Sequence, residues 1–362
     1  MTVTMREVAR AAGVSIATVS HVINDTRPIA PATRQRVLRA IRQLNYYKNS
    51  SARLLVRGFG DAFGLIVSDI ENPFFPQLIK GFEHACGAEH LDVILRMTNY
   101  EQKSAETAVR RMIEDKVRGV AIMTREFDAE LVDRLLDRDI PVVRLNDPGM
   151  RHNQSSVEID YSAGVRQAVE HLARLGHRNV AIIHRPVRVL SARKYRRLLV
   201  DSVHDHGMRL VCCIEVESRA DGGVAAVREL TARKTWPTAL LCGNDLMAIG
   251  AMGQALRCGW RVPEDLSVIG SDDIAFAAYA HPRLSTVHVD KDDVGIQAFR
   301  LLQQMLAEPL NQGIALKVAT RFVSRESSGP ARERPVAATR GLRTGSPRST
   351  AVPCPDPPIL SG

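Results

Sequence analysis

The sequence predicts a small all-α module at the N-terminus and a larger α/β body built on parallel sheets. Two short helical patterns joined by a glycine occupy the first 25 residues, and a third ends near residue 44. Beyond residue 62, short apolar runs alternate with amphipathic stretches of helical length. Such alternation gives parallel strands with crossover helices. Charge divides the chain at the same place. Residues 1–60 carry ten cations and two acids, so eight of the nine net positive charges lie there. A short basic module on a near-neutral body is the electrostatic footprint of a nucleic-acid binder.

The first helix starts at Thr4-Met5-Arg6-Glu7, which has the S/T-x-x-E form of a capping box. Val8, Ala11 and Ala12 give it a narrow apolar face. Gly13 suits its left-handed end. Ser15 offers an oxygen to cap the second helix. Val14 before that helix and Val19, Val22 and Ile23 on it turn inward, leaving Ile16, Ala17, Thr18, Ser20 and His21 on other faces. Two short helices joined at a glycine form a helix-turn-helix, whose second helix reads base edges from its N-terminal part. The spacing alone would also suit a helical hairpin inside a core; the charge favours DNA. Pro31 opens a third helix, where its missing N–H costs nothing. That helix runs to about Leu44 with Val37, Leu38, Ile41 and Leu44 on its apolar face. Residues 48–61 read as a linker too short to be helical without a partner.

The body begins with strand Phe63–Ser68 and helix Phe75–Glu89. Strand Val93–Met97, helix Glu101–Asp115, strand Gly119–Met123, helix Asp128–Arg138 and strand Pro141–Leu145 follow. A break at Pro148–Asp160 suggests a second sheet. It holds helix Tyr161–Leu175, strand Val180–His184, helix Ala192–His206 and strand Leu210–Val216. Helix Gly222–Arg233, strand Ala239–Cys242, helix Asp245–Cys258 and strand Leu266–Gly270 complete it. Ligands in open parallel sheets bind beyond the carboxyl ends of the strands, so a small molecule is expected in the cleft between two such sheets. From Ser327 the chain reads as a disordered tail, because seven of its eighteen prolines fall between Pro330 and Pro358. The expected domains are therefore 1–47, 48–61, 62–326 and 327–362.

Several classes are excluded. No run of about 18 apolar residues exists to span a membrane, and no apolar h-region marks a secretory signal. A cytoplasmic, nucleoid-associated protein is expected. The six cysteines form no C-x-x-C pair, so reduced thiols are expected, with no metal and no cofactor. The P-loop, the dinucleotide fingerprint, G-x-S-x-G and H-E-x-x-H are all missing. That argues against the rival reading, an α/β enzyme with a basic appendage. A non-specific architectural DNA protein is the third class.

The motifs in combination are more specific. They are Gly13-Val-Ser-x-x-Thr-Val-Ser-His-Val-Ile-Asn24, Thr33-Arg34 with Leu44-x-Tyr46, Ala52-Arg53-x-Leu55 and Asn72-Pro-Phe-Phe75. Gly176-His-Arg178, Gly243-Asn-Asp-x-Met-Ala-x-Gly250, Val262-Pro-Glu-Asp-Leu-Ser267 and Gly270-x-Asp-Asp273 follow. Over residues 4–325 the chain resembles the lactose-repressor/galactose-repressor family of bacterial transcription regulators, with a purine-repressor-like headpiece. The resemblance implies a helix-turn-helix headpiece and a two-lobed effector domain of the type I periplasmic-binding-protein fold. It also implies a homodimer on a near-palindromic double-stranded DNA operator, switched by a small-molecule effector, and repression by default.

Carried over residue by residue, the resemblance makes Ile16, Ala17 and His21 the base readers. Ile16 and Ala17 suit thymine methyls rather than bidentate guanine contacts. Ser15, Thr18, Ser20, Asn24 and Arg53 complete the DNA set, and Thr18 and Ser20 fix register on the backbone. Leu55 matches the wedge that enters the minor groove at the operator centre. Lys48 replaces a usual proline, and Ala30 stands where many relatives have a serine cap. On the effector side the matching residues are Phe74, Phe75, Asn146, Arg193, Asn244 and Asp272. Asp245 is expected to cap a helix or serve an interface. Val289 and Ser218 depart from the sugar-binding and purine-binding patterns. From Arg178 to Arg197 there are seven cations and no acid. The resemblance implies a sugar or sugar derivative as effector. The cations are read as a solvated basic helix face, with an anionic effector, such as a sugar acid or sugar phosphate met by Arg193 with Arg185 or Arg188, as the alternative they leave open.

Overall fold

The computed structural model describes residues 3–46, 60–124, 127–147, 149, 151–186, 190–232, 236–308 and 312–332. It divides into two units, residues 1–61 and 62–362.

The first unit holds α1 (Met5–Ala12), α2 (Ile16–Asn24) and α3 (Pro31–Gln43). The capping box at α1 is complete. The Glu7 amide donates to Thr4 Oγ1, and the Thr4 amide donates to Glu7 Oε2 at 2.7 Å. Gly13 ends the helix at φ 62°. Ser15 Oγ accepts from the Thr18 amide at 3.0 Å and starts α2. A core of Val8, Ala9, Ala12, Val19, Val22, Val37, Ala40 and Tyr46 joins the three helices. Two expected core positions are corrected. Ala9 rather than Ala11 faces inward on α1, and Ala40 rather than Leu38 on α3, where Leu38 is exposed. In both helices the buried face is set by the crossing with its neighbours, which a narrow stripe of small residues leaves open by one position. Ala30 gives α3 no side-chain cap. Ala30→Ser is therefore expected to stabilise this unit by about 0.5–1 kcal/mol, read as a higher thermal midpoint of the isolated N-terminal segment.

The second unit begins β1 (Ala62–Val67), α4 (Phe74–Ala88), β2 (Asp92–Met97), α5 (Gln102–Glu114), β3 (Val120–Ile122), α6 (Ala129–Leu136), β4 (Val142–Leu145). β5 (Gln154–Asp160) and α7 (Ser162–Arg174) lead to β6 (Asn179–His184), α8 (Leu190–Asp205), β7 (Arg209–Glu215), α9 (Ala220–Thr231), β8 (Ala239–Cys242) and α10 (Asp245–Arg257). β9 (Ser267–Asp272), α11 (Ala275–Tyr279), β10 (Ser285–Val289), α12 (Lys291–Ala307) and β11 (Ala315–Val323) complete it.

Strand order is β2-β1-β3-β4-β5-β11-β10-β9-β8-β6-β7. All pairs are parallel except β10 with β11. The first half of β11 pairs with β5 and the second half with β10, so one strand joins the two lobes. The sequence pattern predicts the two lobes but, ending at Gly270, leaves out β5, β10, β11, α11 and α12, and with them the strand that links the lobes. The first lobe is built on Phe63, Leu65, Phe82, Phe299 and Leu302, all at most 2% exposed. The second has its core around Ala251, Leu240, Leu266 and Val268. Ser327 is fully buried, its hydroxyl donating to the Val268 carbonyl, and the Ala331 amide donates to the Leu175 carbonyl. The ordered body thus runs past the expected tail boundary at Ser327. No helix among the described residues is long and apolar enough to cross a membrane.

Candidate functional site

In the first unit, α2 presents Ile16 (44% exposed) and Ala17 on its exposed side, with Ser20 and His21 half-buried on the same helix. Ser15 and Thr18 are tied to each other at its N-terminus, Oγ to Oγ1 at 2.8 Å. His21 Nδ1 lies 2.7 Å from Thr26 Oγ1, which fixes the ring. Arg34 pairs with Asp25 at 2.6 Å, while Arg36, Arg39 and Arg42 are exposed on α3. An apolar residue exposed at the start of a helix among cations is costly in water and suited to thymine methyls. The Asn24 side chain, Arg53 and Leu55 lie outside the described residues.

In the second unit a cavity of about 430 Å³ opens at the carboxyl ends of the parallel strands of both lobes. Ser68 follows β1, Asn99 and Tyr100 follow β2, and Thr124 follows β3. Arg185 follows β6, Glu217–Arg219 follow β7, Asn244 follows β8, and Asp272 ends β9. Parallel strands end with their side chains and loop amides gathered at one edge, which is why ligands collect there. Phe74 and Phe75, edge to face at 5.4 Å, line it from the start of α4. Both also belong to the first lobe's core. Asn72 Oδ1 accepts from the Phe74 amide at 3.1 Å and fixes that helix start. Across the mouth, Arg219 Nη2 lies 3.7 Å from Asp69 Oδ2, linking the second lobe to the first.

Four predicted effector residues, Phe74, Phe75, Asn244 and Asp272, line this cavity. Asn146 and Arg193 do not. Asn146 Oδ1 accepts from the Ile159 amide at 2.7 Å, and the residue lines a smaller neighbouring cavity of about 150 Å³. On α8 the cavity-facing positions are Ser191, Lys194, Tyr195 and Leu198, the i, i+3, i+4, i+7 spacing of one helix face. Arg193 falls off that face and is exposed. Tyr195, packed at 4.6 Å against Tyr161, takes its place. Arg185 and Arg219 are the cations at the cavity among the described residues; Arg188 lies outside them. Val289 is buried in the first lobe's core. The residues that sequence reasoning missed, such as Asn99, Thr124 and Arg219, share one signal: each sits just past a predicted strand.

The second-lobe wall is braced by buried polar groups. Asn244 caps α10 by accepting from the Met247 amide, and donates to the Ser218 carbonyl at 3.1 Å. Asp245, expected to cap a helix or serve an interface, leaves the capping of α10 to Asn244 and is fully buried. It accepts from the Ile274 amide at 2.8 Å and from the Thr286 hydroxyl. Burial, with the nearby charge of Asp272, pushes its carboxyl well above the usual range. For Asp273, burial works against ionisation, but hydrogen bonds from Arg325 and His288 outweigh it and hold the carboxyl below the usual range. Burial pulls the Lys291 ammonium down against the pull of its acidic neighbours.

Residues 4–49 match the family described as bacterial regulatory proteins, lacI family, and residues 169–328 match the periplasmic binding protein-like domain. The transcriptional repressor PurR of Vibrio atlanticus is 34% identical over 331 residues, covering 90% of this chain and 98% of the relative. The chain belongs to the lacI family. It is a DNA-binding transcriptional repressor with a ligand-binding domain, and not an enzyme. Its fold is similar to that of the lac repressor dimer bound to operator and the anti-inducer ONPF, with a TM-score of 0.80 at 26% identity over 91% of this chain and all of that one. The regulator CelR in complex with cellobiose is similar too, with a TM-score of 0.68 at 28% identity over 90% of this chain and all of that one. These likenesses place the exposed face of α2 in the family's DNA-binding headpiece and the strand-end cavity in its ligand-binding domain.

Proposed function

We propose that this lacI-family repressor binds a near-palindromic operator as a homodimer and releases or tightens its grip when a sugar or sugar acid fills the cavity. The observation that carries the effector class is the lining. Five aromatic rings, those of Phe74, Phe75, Tyr100, Tyr161 and Tyr195, alternate with the amides of Asn72, Asn99 and Asn244 and the hydroxyls of Ser68, Thr124 and Ser218. Flat apolar faces suit the C–H face of a sugar ring, and amide and hydroxyl groups both donate and accept, as sugar hydroxyls do. Arg185 and Arg219 add two guanidinium groups suited to a carboxylate or phosphate. The sugar-bound state of the CelR relative points the same way.

On α2, Ile16, Ala17 and His21 read base edges, and Ser15, Thr18, Ser20 and Asn24 position the backbone, with Arg53 and Leu55 acting from the linker. A ligand moves operator affinity only by its different affinity for two lobe arrangements.

The test selects genomic DNA with the intact protein and follows binding of the recovered duplex by fluorescence anisotropy. The added ligands are neutral sugars, sugar acids, sugar phosphates and purine bases. A single near-palindromic motif whose binding responds to a sugar, sugar acid or sugar phosphate is the expected result. Uniform DNA recovery, or a response to purine bases alone, overturns the proposal. Arg185→Gln should weaken the responding anionic ligand at least about tenfold, as loss of a charge-assisted hydrogen bond does. An unchanged midpoint would remove Arg185 from the site.

A further inference from the structure

Lys291 is the first residue of α12, and α12 belongs to the first lobe's core through Val294, Ala298, Phe299 and Leu302. Its side chain nevertheless reaches the second lobe. It is 3% exposed, and its Nζ donates to the carbonyls of Asp272 at 2.6 Å, Asp273 at 3.0 Å and Val289 at 3.0 Å. An ammonium has three N–H bonds, and all three have an acceptor here. The first two acceptors belong to a turn that needs holding. Asp272 has φ 110° and Asp273 φ 52°, two consecutive left-handed residues with side chains. Such conformations are strained for residues with a β carbon and persist only where the surroundings impose them.

The rest of the turn is pinned from its other side. The Ile274 amide donates to Asp245, the Asp273 amide to Thr286 Oγ1, and the Asp273 carboxylate receives His288 and Arg325. Those anchors all lie in the second lobe or on the strand joining the two. Lys291 alone among these anchors starts a first-lobe helix.

That helix is seated without slack. A β carbon on Gly295 would lie 2.2 Å from the Leu78 carbonyl oxygen, and one on Gly81 would lie 2.2 Å from that of Asp292. Backbone therefore meets backbone between α12 and α4. The N-terminus of α4 carries Phe74 and Phe75, the aromatic wall of the cavity, while Asp272 lines the cavity from the other lobe.

We infer that Lys291 is a positioning residue of the effector site: from the first lobe it shapes the Asp272–Asp273 turn and so sets the Asp272 carboxylate in register with the Phe74–Phe75 wall. The inference rests on the cavity being the effector site. Lys291 touches no ligand; it acts through Asp272.

The test is a double-mutant cycle on the intact protein, with Asp272→Asn, Lys291→Met and both together. Binding is read by calorimetry with the tightest ligand from a panel of glucose, ribose, cellobiose, gluconate, glucuronate and glucose 6-phosphate. Each single variant is expected to weaken binding about tenfold or more. The double should be no more than about twofold weaker than Asp272→Asn alone, since residues acting through one another are not additive. A residue that merely stabilises the fold would give additive losses, and that result, or wild-type affinity in Lys291→Met, overturns the inference. Should Lys291→Met fail to fold, Lys291→Arg carries the same cycle, because a planar guanidinium cannot offer three N–H bonds from one nitrogen.

If no panel member binds the wild-type protein, the sugar reading fails on its own, and amide exchange then decides the inference. Faster exchange at Asp273 and Ile274 in Lys291→Met, with Phe299–Leu302 unchanged, supports it. Unchanged exchange at the turn overturns it.

Discussion

Deleting residues 1–60 is expected to lower affinity for the selected operator by at least about a thousandfold, the usual gap between specific and non-specific binding. Effector affinity should change less than twofold. The reasoning is electrostatic and geometric together. The first sixty residues hold ten of the forty-nine cations and two of the forty acids, so what remains carries a net charge of only +1. Without the basic module the phosphate attraction that supports all DNA binding is lost. The exposed face of α2, with Ile16, Ala17 and His21, goes with it. The remaining body keeps its own cores around Phe63, Phe82 and Phe299 and around Ala251 and Val268. Its thermal midpoint should stay within a few degrees of the intact chain. Anisotropy on operator and scrambled duplexes checks the loss. A truncated chain that still discriminated the two would place DNA recognition in the α/β body.

The headpiece was legible because its signals are local. A capping box, a glycine at a helix end and a serine cap act within three or four residues, and each is formed as read. What escaped were the strands that join the lobes. β5 runs Gln-Ser-Ser-Val-Glu-Ile-Asp and β10 runs Ser-Thr-Val-His-Val. Neither is a continuous apolar run of the kind sought for a buried parallel strand. Their polar side chains are buried because the backbone uses them. Ser156 Oγ accepts from the Asp147 amide, and Ser155 Oγ accepts from that of Ile314. The same reason hid the true end of the body. Ser267 Oγ donates to the Gly329 carbonyl, and His177 holds that carbonyl from the other side. Ser-Ser-Gly-Pro is thus structured by hydrogen bonds while its composition reads as tail.

The cavity was legible in kind and misplaced in detail. The rule that ligands gather at strand ends located it, and the aromatic pair before Pro76 falls on its wall. Arg193 was misplaced because a motif match fixes position along the chain, whereas the face of α8 is fixed by helical phase against the second lobe. Arg193 and Tyr195, two positions apart on a helix, point about 200° apart, enough to exchange a cavity-facing tyrosine for an exposed arginine.

Gly250→Val is expected to cost about 3 kcal/mol or more and to lower the thermal midpoint of the α/β body by about 10 °C, as overpacking between helices does. α9 and α10 cross through a reciprocal pair of glycines. A β carbon on Gly250 would lie 1.9 Å from the Ala220 carbonyl oxygen, and one on Gly223 would lie 2.0 Å from that of Met247. Neither oxygen is the end of a flexible side chain, so the helices themselves must part. Their separation opens the core that Ala226, Val227, Ala248 and Ala251 fill. It also reaches the effector site, because Glu217–Arg219 lead into α9 and Asn244 caps α10, and the Asn244 amide ties the two by donating to the Ser218 carbonyl. Ligand affinity should therefore fall with stability. Gly253→Ala supplies the contrast. On the same helix its β carbon would meet only an arginine nitrogen at 4.0 Å, and replacing a helical glycine by alanine there should gain about 0.5–1 kcal/mol. Thermal melts of the two variants check the pair. Equal midpoints would mean that α9 and α10 do not cross backbone to backbone, and the bracing of Ser218 and Asn244 at the cavity would need another source.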